Sequence, residues 1–414
     1  LHDRDIYMRV DDSVARVVLG VPRLIRRARG YVPEPFDMGR EMPEILACGG
    51  ELKNTFTITK GRYAIMSQHI GDLTNYEAMN FFEETLWNLK RTFRADPQIL
   101  AHDMHPDYMS TRFAKDYNCG GAPCTLIPVQ HHHAHIASCI AENGHEGKVI
   151  GIAFDGTGYG TDGRTWGSEF LIADLSGFER FAHFDYVPLP GGDKAVREPW
   201  RLAFSYLVKY FGPEGADIFA RLKAGAIDAR EIELVLSMLV KKINSPESCG
   251  MGRLFDAVSS LIGILDTITF EGEAAISLEM AADASAGETS GYPYAITEGA
   301  PAVIDPAPVF KAILEELRNG TPVETISRRF HNTIAGIILD ICDKARVKTG
   351  IDTVALSGGV FQNRLLFEAA YELLKGHGFR VLTHSKVPTN DACVSLGQAA
   401  ITAAIGAFSF DNKV

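Results

Sequence analysis

Two histidines of the run His131-His132-His133-Ala134-His135 have the spacing of a metal-binding pair. Residues four apart in a helix lie on one face, so the imidazoles of His131 and His135 can bind one ion. The apolar run 125–129 precedes them and predicts a strand that leads into the histidine helix at the rim of a sheet. The same spacing also occurs in helices that bind no metal, so the pair alone leaves both interpretations open.

One carboxylate and two glycine-rich turns favour a metal beside a nucleotide. The apolar run 149–154 ends in Asp155-Gly156-Thr157-Gly158, where the acid can hold a cation and the glycines let the backbone approach a phosphate. The turn Ser357-Gly358-Gly359 continues towards Asn363 into a predicted helix, whose N-terminal amides favour an anion. Taken alone, the first turn is more typical of a hairpin. Two such turns at opposite lobes are more specific than either one, and Asp391 follows farther along the chain.

The elements that would position these residues begin with strand-like runs separated by glycine turns. Residues 45–50, 55–59 and 63–66 predict a small antiparallel meander. Helices and strands then alternate, with a helix at 76–93, a strand at 98–102, a helix at 110–117, a strand at 125–129 and the histidine helix. This order predicts one lobe.

A similar order begins again near residue 149. Strands are predicted at 149–154 and 165–173 and helices within 200–265, followed by a strand at 353–356, a helix from about 363, a strand at 380–384 and a final apolar helix from about 392. Two similar lobes with glycine turns facing each other predict an α/β fold of the two-lobed actin, sugar-kinase and Hsp70 type. In that fold the nucleotide lies in the cleft.

Composition restricts the classes of function. With 414 residues, of which 46% are hydrophobic and 22% charged, the chain is long enough for two or three packed units. The net charge of −11, without a long basic run, disfavours nucleic acid as a partner. The sequence has neither a membrane-span pattern nor a signal-peptide pattern, so we expect a cytoplasmic protein without a membrane partner. The seven cysteines are expected to be reduced and mostly buried, and Cys119 and Cys124 lack the second pair of a zinc site.

A set of motifs spread over the chain occurs together in one known family. The motifs occupy residues 130–135, 155–158, 189–193, 198–201, 270–275, 356–363 and 390–392. In combination they resemble the HypF family of carbamoyltransferases, which act in hydrogenase maturation. Residues 2–4, 9–14 and 26–31 resemble the end of the YrdC-like domain of that family. The resemblance covers essentially the whole chain.

The resemblance implies three parts of the chain. Residues 1–36 would be the C-terminal remnant of a YrdC-like α/β domain and a linker, and residues 37–147 the first lobe of a TsaD-like domain. Residues 148–414 would be the second lobe, with the final helix returning to the first. HypF proteins typically carry an acylphosphatase-like domain, zinc-finger-like repeats and the rest of the YrdC-like domain before this point, and this sequence contains none of them.

The resemblance also implies a reaction. The YrdC-like part would make carbamoyl-adenylate from carbamoyl phosphate and ATP, with Mg²⁺. The two-lobed domain would then transfer the carbamoyl group to the C-terminal cysteine of the partner protein HypE, on the way to the cyanide ligands of nickel-iron hydrogenase.

Individual residues receive roles from the same resemblance. A divalent metal, iron or zinc, is expected on His131, His135, Asp155 and Asp391, and the first three are also expected to be catalytic. The expected nucleotide-binding residues are Asp155, Gly156, Thr157, Gly158, Asp256, Gly272, Gly358, Gly359 and Asn363. One of His132 and His133 is expected to orient a metal ligand. Without the resemblance, Asp256 is equally typical of an exposed helix residue.

Two other classes of function remain open from the sequence. Small-molecule O-carbamoylation and threonylcarbamoyl transfer to tRNA use the same fold, although the acidic net charge disfavours tRNA and the segment 198–201 disfavours both. A scaffold that binds nucleotide and metal without catalysis, or an Hsp70-like ATPase switch, is the non-enzymatic alternative.

Overall fold

A computed structural model describes residue 3 and residues 8–120 and 123–411. The described chain opens with an antiparallel hairpin of β1 (Val14–Val18) and β2 (Val21–Arg26). His2 and Arg4, which carry part of the resemblance to a YrdC-like domain, lie outside the described residues. The assignment of residues 1–36 to such a domain therefore stays a prediction.

The first lobe is built on a six-stranded sheet in the order β3-β6-β5-β4-β7-β8. Its elements are β3 (Phe36–Asp37), β4 (Ile45–Ala47), β5 (Thr57–Lys60), β6 (Tyr63–Met66), α1 (Tyr76–Phe93), β7 (Ile99–Asp103), α2 (Met109–Asp116), β8 (Thr125–Val129) and α3 (His131–Glu142). Helix α1 begins where the Asn75 side chain accepts a hydrogen bond from the Ala78 N–H group. Its buried face includes Phe82, Leu86 and Leu89, at the spacing that places side chains on one side of a helix.

The second lobe is built on a seven-stranded sheet in the order β14-β15-β11-β10-β9-β16-β17. Its strands are β9 (Val149–Phe154), β10 (Ser168–Ala173), β11 (Phe178–Phe184), β12 (Val187–Pro188), β13 (Glu247–Ser248), β14 (Ala295–Thr297), β15 (Ala302–Asp305), β16 (Thr353–Ser357) and β17 (Arg380–Leu382). Strands β12 and β13 pair separately. Its helices are α4 (Asp193–Arg197), α5 (Pro199–Leu222), α6 (Ala229–Lys241), α7 (Met251–Leu261), α8 (Glu273–Asp283), α9 (Ala307–Arg318), α10 (Val323–Thr349), α11 (Arg364–Gly376) and α12 (Val394–Asp411).

The two sheets share one topology. Numbered within each lobe, five strands lie in the order 3-2-1-4-5, namely β6-β5-β4-β7-β8 and β11-β10-β9-β16-β17. In both lobes, strands 1 to 3 pair antiparallel and strands 4 and 5 continue parallel to strand 1. This duplicated α/β arrangement is the two-lobed ATPase fold that the sequence predicts.

Helices α3 and α12 pack together between the two sheets. Ile136 and Ile140 of α3 lie in a core with strands of the second sheet, whereas Ile401 of α12 lies in a core with strands of the first. The two helices approach so closely that a Cβ atom added at Gly397 would overlap the Ala134 carbonyl. Each lobe thus places its last helix at the boundary with the other.

Most predicted elements lie within a few residues of the observed ones. Strands β1 to β3 and β11 to β15 and helices α4 and α8 to α10 were not predicted. The expectation that all cysteines are reduced is wrong for one pair, since the structure joins Cys119 and Cys124 in a disulfide. The other five are free and buried.

Among the described helices, none has the length and apolar character needed to cross a membrane.

Candidate active site

Four side chains from three places in the fold converge on one point. His131 and His135 lie in the first turns of α3, Asp155 follows β9, and Asp391 begins the 3₁₀ helix Asp391–Cys393 that leads into α12. Each offers one ligand atom, and these atoms all lie within 4.8 Å of one another. The shortest of the histidine-carboxylate distances is 3.0 Å, between His135 Nε2 and Asp155 Oδ2. We call these four residues the tetrad.

The tetrad has free coordinating atoms directed at one another. The Nε2 atoms of His131 and His135 and the Oδ2 atom of Asp155 are buried, and apart from their contacts within the tetrad none has a hydrogen-bond partner within the described chain. Such groups are costly to bury unless an ion or a ligand satisfies them. Two imidazoles with two carboxylates form a donor set suited to zinc or iron. The residues therefore fit a bound divalent metal.

Electrostatics at the tetrad favour a cation. Burial alone would lower the pKa of His131, but Asp103, Asp155 and Asp391 raise it to about 10. Burial also raises the pKa of Asp391, and the neighbouring Asp155 carboxylate raises it further. Carboxylates concentrated in a region without much solvent create a negative potential that a dication relieves.

The far side of His131 is held by a residue that the sequence did not reveal. Its Nδ1 atom lies 2.7 Å from Oδ2 of Asp103, at the end of β7, and both side chains are fully buried. A carboxylate at Nδ1 fixes the tautomer in which Nε2 carries the lone pair for a metal. Only the juxtaposition of β7 and α3 in the folded lobe brings Asp103 to this position.

The hydrogen bonds described for His132 and His133 go to residues outside the tetrad, and the expectation that one of the two orients a metal ligand stays a prediction. His132 Nδ1 lies 3.1 Å from the Gln130 amide nitrogen, and His133 Nε2–H donates to the Asp174 carbonyl at 2.7 Å. The His132 ring packs edge-on against the His131 ring, with 5.3 Å between the ring centroids.

A cavity of about 460 Å³ lies between the lobes and reaches the tetrad. Among the predicted nucleotide-binding residues, its lining includes Asp155, Gly156, Asp256, Gly272, Gly359 and Asn363, and it also includes Asp391. The structure does not place Thr157, Gly158 or Gly358 in that lining. Gly158 packs instead against the rings of His131 and His132, where a Cβ atom would clash.

Asp256 is buried rather than an exposed helix residue. Its side chain lies on α7 near Arg253, with Asp256 Oδ2 3.1 Å from the guanidinium. Apart from this ion pair, neither carboxylate oxygen has a hydrogen-bond partner within the described residues, and burial raises the pKa of the Asp256 carboxyl. A buried carboxylate with unsatisfied oxygens is suited to accept hydrogen bonds from the hydroxyl groups of a ligand in the cavity.

Charged residues from both lobes meet across the cavity. Lys53 of the first lobe forms an ion pair with Glu271 of the second. Burial opposes the charge of Lys53, but Glu271, Asp391 and Asp155 raise its pKa. Arg16 of the hairpin also lines the cavity and pairs with Glu279 of α8 at 3.2 Å. Sequence reasoning missed these cations, because each is an isolated basic residue without a motif.

Models of protein families match most of the chain. The model described as "HypF Kae1-like domain" matches residues 40–142, and the one described as "Carbamoyltransferase, Kae1-like Domain, second subdomain" matches residues 151–398. The chain belongs to the HypF carbamoyltransferase family.

Curated relatives agree with this membership. The carbamoyltransferases HypF of Synechocystis sp. and Rhizobium leguminosarum bv. viciae are 38% and 36% identical to the chain, each over 96% of it. The chain spans about half the length of these two relatives, 52% and 50% respectively. A protein of Cupriavidus necator named carbamoyltransferase HypF homolog is 34% identical and matches over 88% of this chain and 93% of its own length.

Two solved HypF structures have the same fold as this family member. The crystal structure of a full-length HypF in a phosphate- and nucleotide-bound form is 44% identical, with a TM-score of 0.91 over 98% of this chain and 62% of that one. The structure of HypF from T. kodakarensis is 33% identical, with a TM-score of 0.87 over 99% of this chain and 53% of that one. The first of these binds a nucleotide, as its description states.

Proposed function

We propose that this chain transfers a carbamoyl group from carbamoyl-adenylate to the C-terminal cysteine of HypE. The modified cysteine then serves the synthesis of the cyanide ligands of nickel-iron hydrogenase. Carbamoyl-adenylate is made from carbamoyl phosphate and ATP, with Mg²⁺, and we assign this activation to a YrdC-like domain. The two-lobed domain performs the transfer.

One observation supports the proposal most strongly: the cavity between the lobes is lined both by predicted nucleotide-binding residues and by two tetrad carboxylates. Its volume of about 460 Å³ is in the range of small-molecule sites. Asp256 and Asn363 offer polar groups to a nucleoside, and the tetrad residues Asp155 and Asp391 line another part of the same cavity. An adenylate that fills the cavity brings its acyl phosphate towards the tetrad.

The roles of the side chains follow from their places around the cavity. A divalent ion held by His131, His135, Asp155 and Asp391 would supply Lewis-acid polarisation of the carbamoyl carbonyl. Lys53 and Arg253 line the cavity, and their positive charge would stabilise AMP as the leaving group. The acceptor thiol loses its proton, its sulfur bonds to the carbamoyl carbon, and the bond from that carbon to the phosphate oxygen breaks. The products are the S-carbamoyl cysteine, AMP and a proton.

The decisive experiment separates activation from transfer. The chain is given ATP and carbamoyl phosphate, and pyrophosphate release is measured, with no release expected. It is then given carbamoyl-adenylate made by a separate full-length HypF whose own transfer site is disabled, together with HypE, and carbamoylation of the terminal cysteine is followed by mass spectrometry. A HypE variant without that cysteine is the control acceptor.

The variant His131→Ala tests the tetrad in the same assay. We expect it to lose most of its bound metal and its transfer activity, while its circular dichroism stays that of the unaltered chain. Undiminished metal in this variant would show that the ion lies elsewhere. Strong pyrophosphate release by the unaltered chain alone would refute the assignment of activation to another domain.

A further inference from the structure

The face of His135 that points away from the cavity contacts a buried polar cluster. His135 Nδ1 lies 3.2 Å from Cys393 Sγ and 3.3 Å from Ser357 Oγ. The side chains of all three residues are fully buried. Neither Cys393 nor Ser357 reaches the cavity lining, so the proposed transfer reaction does not use them as substrate contacts.

The cluster continues to a carboxylate through a second imidazole. Ser357 Oγ lies 2.9 Å from His384 Nε2, and His384 Nδ1–H donates to Glu142 Oε2 at 2.7 Å. The other oxygen of Glu142 accepts hydrogen bonds from the backbone N–H groups of Ser385 and Lys386, at 2.8 and 2.6 Å. Glu142 is therefore fixed at both oxygens, and its position determines that of His384.

The two tetrad histidines thus receive different support. His131 has a carboxylate, Asp103, directly at Nδ1. His135 has a sulfur and a hydroxyl at Nδ1, and the nearest carboxylate of the cluster, Glu142, acts only through His384 and Ser357. A ring without such partners could rotate about its Cβ–Cγ bond or exchange tautomers, and either change removes the Nε2 lone pair from the tetrad.

We propose that Cys393 and Ser357, held in place by His384 and Glu142, are positioning residues that direct His135 Nε2 into the tetrad. The Nδ1–H group of His135 donates to the Cys393 sulfur, so the lone pair stays on Nε2. The proposal rests on the metal-binding part of the proposed function and adds the residues that hold one ligand in place.

The test measures the affinity of the purified chain for Zn²⁺ and Co²⁺ by competition with a chelator. Cys393→Ala removes the acceptor and should weaken binding by about tenfold or more, the usual cost of losing such a partner. Cys393→Ser keeps an acceptor and should bind several-fold more tightly than the Ala variant. Cys342→Ala removes the same atoms from another fully buried site, in α10, and should bind as the unaltered chain does.

A second variant and a spectrum separate positioning from general destabilisation. Glu142→Gln keeps the shape of the cluster and should also weaken binding. The Co²⁺ absorption spectrum should change in the Cys393 and Glu142 variants but not in Cys342→Ala, even where the melting temperatures of the variants fall equally.

The outcomes distinguish this inference from the function on which it rests. Unchanged affinity and an unchanged spectrum in folded Cys393→Ala, or in Glu142→Gln if the former does not fold, would overturn the positioning role while leaving the tetrad as a metal site. An unaltered chain that binds neither ion would refute the metal site, and this inference with it.

Discussion

Acidification should destabilise the second lobe through one buried histidine, His331 of α10. Its side chain is almost fully buried, its Nδ1–H donates to the Ser327 carbonyl at 2.8 Å, and its Nε2 accepts from the Asn363 amide at 2.9 Å. Both partners are satisfied only by a neutral ring, because a proton on Nε2 would face the N–H group of Asn363. Burial lowers the pKa of His331 from the usual 6.5 to about 4.

The sign and size of the effect follow from this difference in pKa. Between about pH 6.5 and pH 4 the unfolded chain binds a proton at His331 that the folded chain does not, so the free energy of unfolding falls as the pH falls. From about pH 7.5 to about pH 5 the loss is about 2 kcal/mol, and its upper limit at lower pH is about 3 kcal/mol.

The variant His331→Gln isolates this contribution, since glutamine does not titrate. Urea unfolding at the two pH values should show that the variant loses about 2 kcal/mol less stability on acidification than the unaltered chain. Equal pH dependence of the His331 variant and the unaltered chain, or an NMR titration of the His331 ring near its usual pKa, would refute the reasoning.

Two further predictions concern the cavity. A Cβ atom at Gly359 would lie 3.1 Å from Asp155 Oδ1, so Gly359→Ala should weaken ATP binding in calorimetry with little change in melting temperature. A Cβ atom at Gly358, where φ is 101°, would overlap the Phe154 carbonyl, so Gly358→Ala should chiefly lower the melting temperature. Similar changes in affinity and melting temperature for the two variants would contradict this distinction. Lys53→Met should weaken ATP binding by about tenfold or more, as expected for the loss of a charged hydrogen bond. Lys53→Arg keeps the charge and should bind ATP nearly as well as the unaltered chain. Unchanged affinity of the Met variant would exclude a contact between Lys53 and the phosphates.

The sequence predicted those parts of the molecule in which neighbouring residues determine the structure. Apolar runs that end in glycine turns located β9 and β16, and the i, i+4 spacing placed His131 and His135 on one face of α3. The structure brings the four tetrad residues together, although the choice of Asp391 depended on resemblance to a family rather than on any local pattern.

Residues that act through tertiary contacts were not predictable in this way. Asp103 supports His131 from 28 positions away, and Glu142 meets His384 across 242 positions. Isolated acids, cysteines and lysines are common in any sequence, so only the pairing of strands and helices decides which of them reach the site. The roles of His132 and His133 were not predictable either, because proximity in sequence does not imply a shared face of a helix.

The contact between α3 and α12 brings three of the four tetrad ligands onto one packed pair of helices and the turn before α12. The two helices meet backbone to backbone at Gly397. His131 and His135 lie on α3, and Asp391 lies in the 3₁₀ turn that leads into α12. A rotation of the lobes about this helix pair would separate Lys53 from Glu271 but leave these three ligands at fixed distances. Under the proposed function, nucleotide exchange would then leave an ion on these three ligands in place.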